Sequence, residues 1–288
     1  MTDVACIVDS KSRVTESPVW NDDEQALYWT EIYKPAVHRL DTRSGKITTW
    51  KMPDPVGCIA FRRRGGLICG TRAGFATLDT TTGTVELLYA PEPDKPNNRL
   101  NDGRCDRAGR FWAGSMDESL ASRSGSLYRF DANRKCTKMV EGLIVSNGLA
   151  WSPDNRTLYH SDSRQRTVWA WDFDIDSGDI GNQRVFHVAK VGEGRPDGAA
   201  VDEEGCYWIA RYAGWRLVRH APDGREIQIV KMPVESPTMC AFGGPKRDIL
   251  YVTSAGQNLT DPARQPQAGG VFMLTVGVRG LPEPRYAG

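Results

Sequence analysis

Four oxygen-bearing side chains, Glu16, Asn101, Asn147 and Asp197, stand at equivalent places in a chain built from repeats. Six opening segments mark the repeats: Ser17-Pro-Val-Trp20, Cys58-Ile-Ala-Phe61, Asp102-Gly-Arg-Cys105, Gly148-Leu-Ala-Trp151, Gly198-Ala-Ala-Val201 and Met239-Cys-Ala-Phe242. Their last residues lie 41, 44, 46, 50 and 41 positions apart, a period that suits one four-stranded propeller blade. Four residues before each of these stand Glu16, Gly57, Asn101, Asn147, Asp197 and Thr238. In a propeller the first strand of each blade lines the axis, so these six positions form a ring at one channel end. The ring holds two carboxylates and two carboxamides. Such a set is hard and oxygen-rich, the chemistry of one divalent cation: Ca2+, Mg2+, Mn2+, Zn2+ or Fe2+. Two carboxylates brought together without a cation repel, and one pKa rises. The same residues also suit a plainer role, because Asn-Gly and Asp-Gly are ordinary turn pairs.

Fifteen residues after the ring positions stand Glu31, Arg72, Met116, Asp162 and Tyr212. Strand reversal predicts that they line the pocket walls at the same channel end, further from the axis.

The positioning elements are all strands. Second strands such as Ala26-Leu-Tyr-Trp-Thr30, Gly109-Arg-Phe-Trp-Ala113 and Gly205-Cys-Tyr-Trp-Ile209 are rich in aromatic and β-branched residues, which suit a pleated, buried surface. The turns before them carry Asp and Gly, as in Asp106-Arg-Ala-Gly109 and Asp202-Glu-Glu-Gly205. No segment has a long helical period with caps. The expected fold is therefore all-β, a single six-bladed β-propeller domain spanning residues 1–288. The last repeat runs out near Gly270-Val-Phe-Met-Leu-Thr275. A ring with an open edge invites aggregation, so Val4 to Val8 is predicted to supply the missing strand and close it.

Composition excludes several classes. Lys and Arg number 37 and Asp and Glu 36, a formal net charge of +1, so no field favours nucleic acid or an acidic membrane. No stretch approaches the ~18 apolar residues of a membrane span. The first residues lack a basic segment followed by an apolar one, so no signal peptide is expected. The seven cysteines, Cys6, Cys58, Cys69, Cys105, Cys136, Cys206 and Cys240, are dispersed without a C-x-x-C pair. They are expected to be reduced structural thiols of a cytoplasmic protein, not zinc ligands. No G-x-S-x-G elbow, H-E-x-x-H, Walker loop or dinucleotide fingerprint is present. Of the four histidines, His160 approaches the pocket in one reading and is simply packed or hydrogen-bonded in the favoured one.

Glu16-Ser-Pro-Val-Trp20, Asn98-Arg-Leu-Asn-Asp-Gly103, Phe111-Trp-Ala-Gly-Ser-Met116, Ser146-Asn-Gly-Leu-Ala-Trp151, Pro196-Asp-Gly198, Cys240-Ala-Phe-Gly-Gly244 and Ala268-Gly-Gly-Val-Phe272 follow one another in register. Together they resemble the regucalcin (senescence marker protein) and gluconolactonase family, in order from about residue 14 to 275. The resemblance implies hydrolysis of a small sugar lactone with one bound divalent metal. Carried over by motif, Glu16, Asn147 and Asp197 are the metal ligands, with Asp197 also the residue that accepts a proton. Arg99 and Asn101 contact substrate. The family's animal members carry a further acidic contact whose place falls here on Ser119, just after Asp117 and Glu118. Glu118 is the substrate-binding candidate, and the departure implies a different substrate preference. The expected partner is a small sugar lactone, with neither nucleic acid nor membrane, acting on a monomer or weak homo-oligomer. The competing expectation is a calcium-binding regulator without chemistry.

Overall fold

The computed structural model describes residues 3–288. Met1 and Thr2, where the expected domain span begins, lie outside the described residues. Six four-stranded antiparallel sheets follow one another along the chain and form the blades of a β-propeller. We number them one to six from the strand Thr15–Asn21 onward.

The innermost strands are Thr15–Asn21, Val56–Phe61, Asn98–Cys105, Ser146–Trp151, Arg195–Val201 and Pro237–Gly243. Blades stack face on face, so an inner strand is covered on both sides. Val56–Phe61 is buried throughout, and such strands read as continuous apolar runs. Outer strands behave differently. Ile47–Lys51 alternates between exposed and half-buried positions, with the period of two expected of a half-covered strand.

Blade six closes the ring as predicted. Its order is Ala5–Val8, Val271–Thr275, Ile249–Ser254, Pro237–Gly243, and Cys6 pairs with Phe272. The N-terminal strand thus ties the two ends of the chain together.

The Asp-Gly turns do more than reverse the chain. Asp106 Oδ1 accepts from the amides of Gly109 and Arg110, and Oδ2 accepts from the indole of Trp112 at 2.9 Å. Asp202 repeats the device in blade five, binding the Cys206 amide and the Trp208 indole. Both tryptophans are wholly buried, and this bond satisfies the one polar atom each carries inward.

The residues after Thr275 add no strand to blade six. They cross the channel end opposite the ring positions. Tyr286 bonds through its backbone to Phe61 and Arg63, and Ala287 to Gly109. Glu283 lies 3.5 Å from Arg104. Gly280 is packed so closely that a Cβ there would fall 2.0 Å from Phe242 Cβ.

All seven cysteines are free, as the sequence predicts. No helix among the described residues is long and apolar enough to cross a membrane.

Candidate functional site

Every inner strand breaks register at the same level. The shifts lie between Glu16 and Val19, Val56 and Cys58, Leu100 and Gly103, Asn147 and Ala150, Pro196 and Ala199, and Pro237 and Cys240. Such bulges re-aim side chains and terminate pairing. Here they sit at the ring positions in all six blades. Glu16, Asn101, Asn147, Asp197 and Thr238 line one cavity of about 240 Å3 at that channel end. Gly57 adds nothing to the lining, because a Cβ there would fall 2.5 Å from the carbonyl oxygens of Leu100 and Asn101. The inner strand of blade three leaves no room for a side chain.

Hydrogen bonds hold the polar set in one arrangement. Arg99 donates from Nη1 to Asn101 Oδ1 at 2.7 Å. Asn101 Nδ2 donates to Asn147 Oδ1 at 3.2 Å and to the Ser146 carbonyl at 3.0 Å. Asn147 Nδ2 donates to Ser163 Oγ, which donates to the carbonyl of Pro196, the neighbour of Asp197. One chain of bonds therefore links blades three, four and five around the cavity.

Electrostatics single out three acids. Burial pushes the Glu16 carboxyl up to about 8, helped by the charge of Asp102 and opposed by the Ser17 amide and Arg99. Burial, then Glu16 and Asp102, hold Asp197 well above the carboxylate range. Asp102 is likewise raised, chiefly by burial. Its Oδ2 accepts from the Leu149 amide at 2.9 Å, while its buried Oδ1 has no partner. Asp102 adds to the repulsion from behind the cavity lining, which Glu16 and Asp197 reach together with Asn147, and the donors of those three are oxygen. A hard divalent cation fits this set, since it removes the repulsion and satisfies the oxygens.

The substrate-side candidates also converge. Arg99, Asn101 and Glu118 line the same cavity. Glu118 Oε1 lies 3.3 Å from Arg99 Nε, and Oε2 is bonded to Arg72. Ser119 is exposed and held by Asp117, whose oxygens also bind the amides of Ala121 and Ser122. Of the acidic candidates beside Ser119, Glu118 lines the cavity, while Ser119 and Asp117 do not.

The predicted second ring holds only in part. Met116 and Tyr212 line the cavity, but Glu31, Arg72 and Asp162 do not. In blades one and four Ile32 and Ser163 take the place instead, joined to Val14 and Val145 by backbone bonds. Their hairpins are one residue longer than those of blades three and five, where Arg99 pairs with Met116 and Arg195 with Tyr212. A slip of one residue turns a strand side chain to the other face. Asp162 accordingly faces the backbone, accepting from the amides of Ile144, Arg164 and Gln165.

His160 is packed, as expected. It is wholly buried, its Nε2 lies 2.7 Å from Ser146 Oγ, and burial lowers its pKa to about 4. Another group with metal-binding atoms, His187, His220 and Glu226, lies between blades four and five, away from the cavity lining. There the buried Arg211 guanidinium stands 3.5 Å from Glu226 Oε1 and already supplies a cation.

Sequence reasoning missed Asp102, Ser163, Arg164 and Arg195. Arg195 had a usable signal: it stands two residues before Asp197, as Arg99 does before Asn101, and strand side chains two apart share a face.

Comparisons with known proteins bear on the family and the fold. Residues 14–256 match the family described as SMP-30/Gluconolactonase/LRE-like region. The chain is 39% identical to a 6-deoxy-6-sulfogluconolactonase of Pseudomonas putida over 98% of each protein. It is 38% identical to regucalcin of Gallus gallus, over 99% of this chain and 98% of the other. A solved structure of a calcium-binding regucalcin from Agrobacterium tumefaciens superimposes with a TM-score of 0.95 at 29% identity, covering 99% of this chain and 97% of that one. The ordered motifs, the six bulged blades and these matches together make the chain a member of the SMP-30/gluconolactonase/LRE-like family.

Proposed function

We propose that the protein is a metal-assisted lactonase that opens a small aldonolactone to the aldonic acid. The observation that carries the reading is the convergence of Glu16, Asn147 and Asp197, from three blades, on a cavity whose wall is Arg99, Asn101 and Glu118. Relatives named for gluconolactone-type chemistry support it.

Glu16, Asn147 and Asp197 would hold the cation, which supplies Lewis-acid polarisation of the lactone carbonyl when bound. Arg99 is buried and fixed by Asn101 and Glu118, so its guanidinium orients oxygens of the sugar ring without first losing its own freedom. Asp197 accepts a proton from the attacking water as the new carbon–oxygen bond forms. That proton then passes to the ring oxygen as the ester bond breaks. Lactone and water are consumed and one hydroxy acid is formed. General-base help of this kind is worth about 10²–10⁴-fold in rate.

The test is proton release from a panel of aldonolactones, corrected for spontaneous opening and repeated after chelation. Hydrolysis that disappears with the chelator supports the reading. Calcium binding with no hydrolysis of any lactone leaves the non-catalytic regulator instead.

A further inference from the structure

We propose that the cavity selects an aldonolactone bearing an anionic group, a sulfonate or a phosphate, on the carbon remote from the ester. This rests on the lactonase reading and concerns what the same site recognises. Three arginines line the cavity, Arg99, Arg164 and Arg195. Arg99 is already engaged by Glu118 and Asn101. Arg164 and Arg195 are not. Among the described residues neither guanidinium has a carboxylate within 4.0 Å. Arg164 donates its backbone amide to Asp162 Oδ1. Arg195 lies over the Tyr212 ring at 5.4 Å.

The acids on the lining cannot balance them. Glu118 is shared between Arg99 and Arg72. Glu16 and Asp197 are assigned to the cation, whose two charges they offset. Two guanidiniums therefore remain at the mouth outside any ion pair, Arg164 exposed and Arg195 half-buried, with Asp197 feeling Arg195 only at longer range.

Their position suits one end of a substrate. Arg195 precedes Asp197 by two residues on one strand, a rise of about 7 Å toward the mouth. That is comparable to the length of a hexonolactone. Arg164 follows Ser163, which is bonded to Asn147, and so stands over the same floor from the neighbouring blade. A lactone with its carbonyl at Asp197 would present its far carbon to both arginines. Guanidinium forks match the oxygens of sulfonate and phosphate, whereas a neutral hydroxyl would leave both charges unpaired.

The test compares kcat/KM for gluconolactone, its 6-deoxy-6-sulfo analogue and its 6-phospho analogue. Wild type, Arg195→Ala, Arg195→Lys and the Arg164→Ala/Arg195→Ala double variant are measured at low and high salt. The expected result is a preference for an anionic lactone of about 10–100-fold. It should collapse in the double variant chiefly through KM, weaken with salt and return in part with lysine. The two analogues separate sulfonate from phosphate recognition. Equal kcat/KM for neutral and anionic lactones, or a preference untouched in the double variant, overturns this proposal and leaves the lactonase reading standing. Failure to hydrolyse any of the three lactones overturns the lactonase reading and this proposal with it.

Discussion

Asn101 donates from Nδ2 to Oδ1 of Asn147 at 3.2 Å, across the seam between blades three and four. The bond fixes which face of the Asn147 amide is oxygen, and with Arg99 on its other side Asn101 couples the proposed substrate wall to the proposed cation floor. Asn101→Ala should therefore damage both. It leaves buried groups on Arg99 and Asn147 without their partner, a loss of about 1–3 kcal/mol in stability. We expect lower cation affinity and lower kcat/KM together, read by calorimetry and steady-state kinetics.

The crowded acids predict an unusual pH dependence. Glu16 and Asp197 have folded pKa values above their unfolded ones, so the native state holds more protons than the unfolded chain. Stability of the metal-free protein must then fall as pH rises, from the ordinary carboxylate value of about 4.5 toward about 8 for Glu16. A chelated sample should lose thermal stability across that window, and adding the cation should restore it. Glu16→Gln should flatten the slope and raise the metal-free melting temperature. A thermal scan series against pH checks both signs.

Arg99 and Glu118 should behave as a unit. Arg99 is buried and is ion-paired with Glu118, which it shares with Arg72. Arg99→Lys keeps the charge but loses the fork that reaches Asn101 and Glu118 together. Its kcat/KM should drop at least ~10-fold. A double-mutant cycle with Glu118→Gln should show a coupling energy of about 1–3 kcal/mol, far from additivity.

The tail is a separate matter of stability. Tyr286 is 1% exposed and packs in the cluster that holds Phe75 and Phe130. Tyr286→Ala should cost about 3 kcal/mol in urea unfolding. Turnover per folded molecule should not change, because the tail crosses the channel end opposite the cavity.

Much of this was legible in the sequence for a specific reason. Each blade repeats one bulge, so Glu16, Asn101, Asn147 and Asp197 kept a constant offset from a recognisable strand. Gly57 kept the offset too, although blade three allows no side chain there. The closing strand at Ala5–Val8 followed from the shortage of strands in the last repeat. What failed was anything that depended on hairpin length. One extra residue in blades one and four replaced Glu31 and Asp162 by Ile32 and Ser163. Local turn bonds at Asp117 likewise hold Ser119 off the cavity lining that Glu118 joins. The tail crossing carried no periodic pattern at all.

Titration of lactone hydrolysis with metal, starting from chelated protein, bears most directly on the claim that side chains of three blades hold one cation that hydrolysis requires. Turnover should rise in proportion to added cation and saturate at about one equivalent per chain. Folded Asp197→Ala should recover none of it. Full turnover in the chelated protein, or near-normal turnover in that variant, would contradict the assignment of Glu16, Asn147 and Asp197.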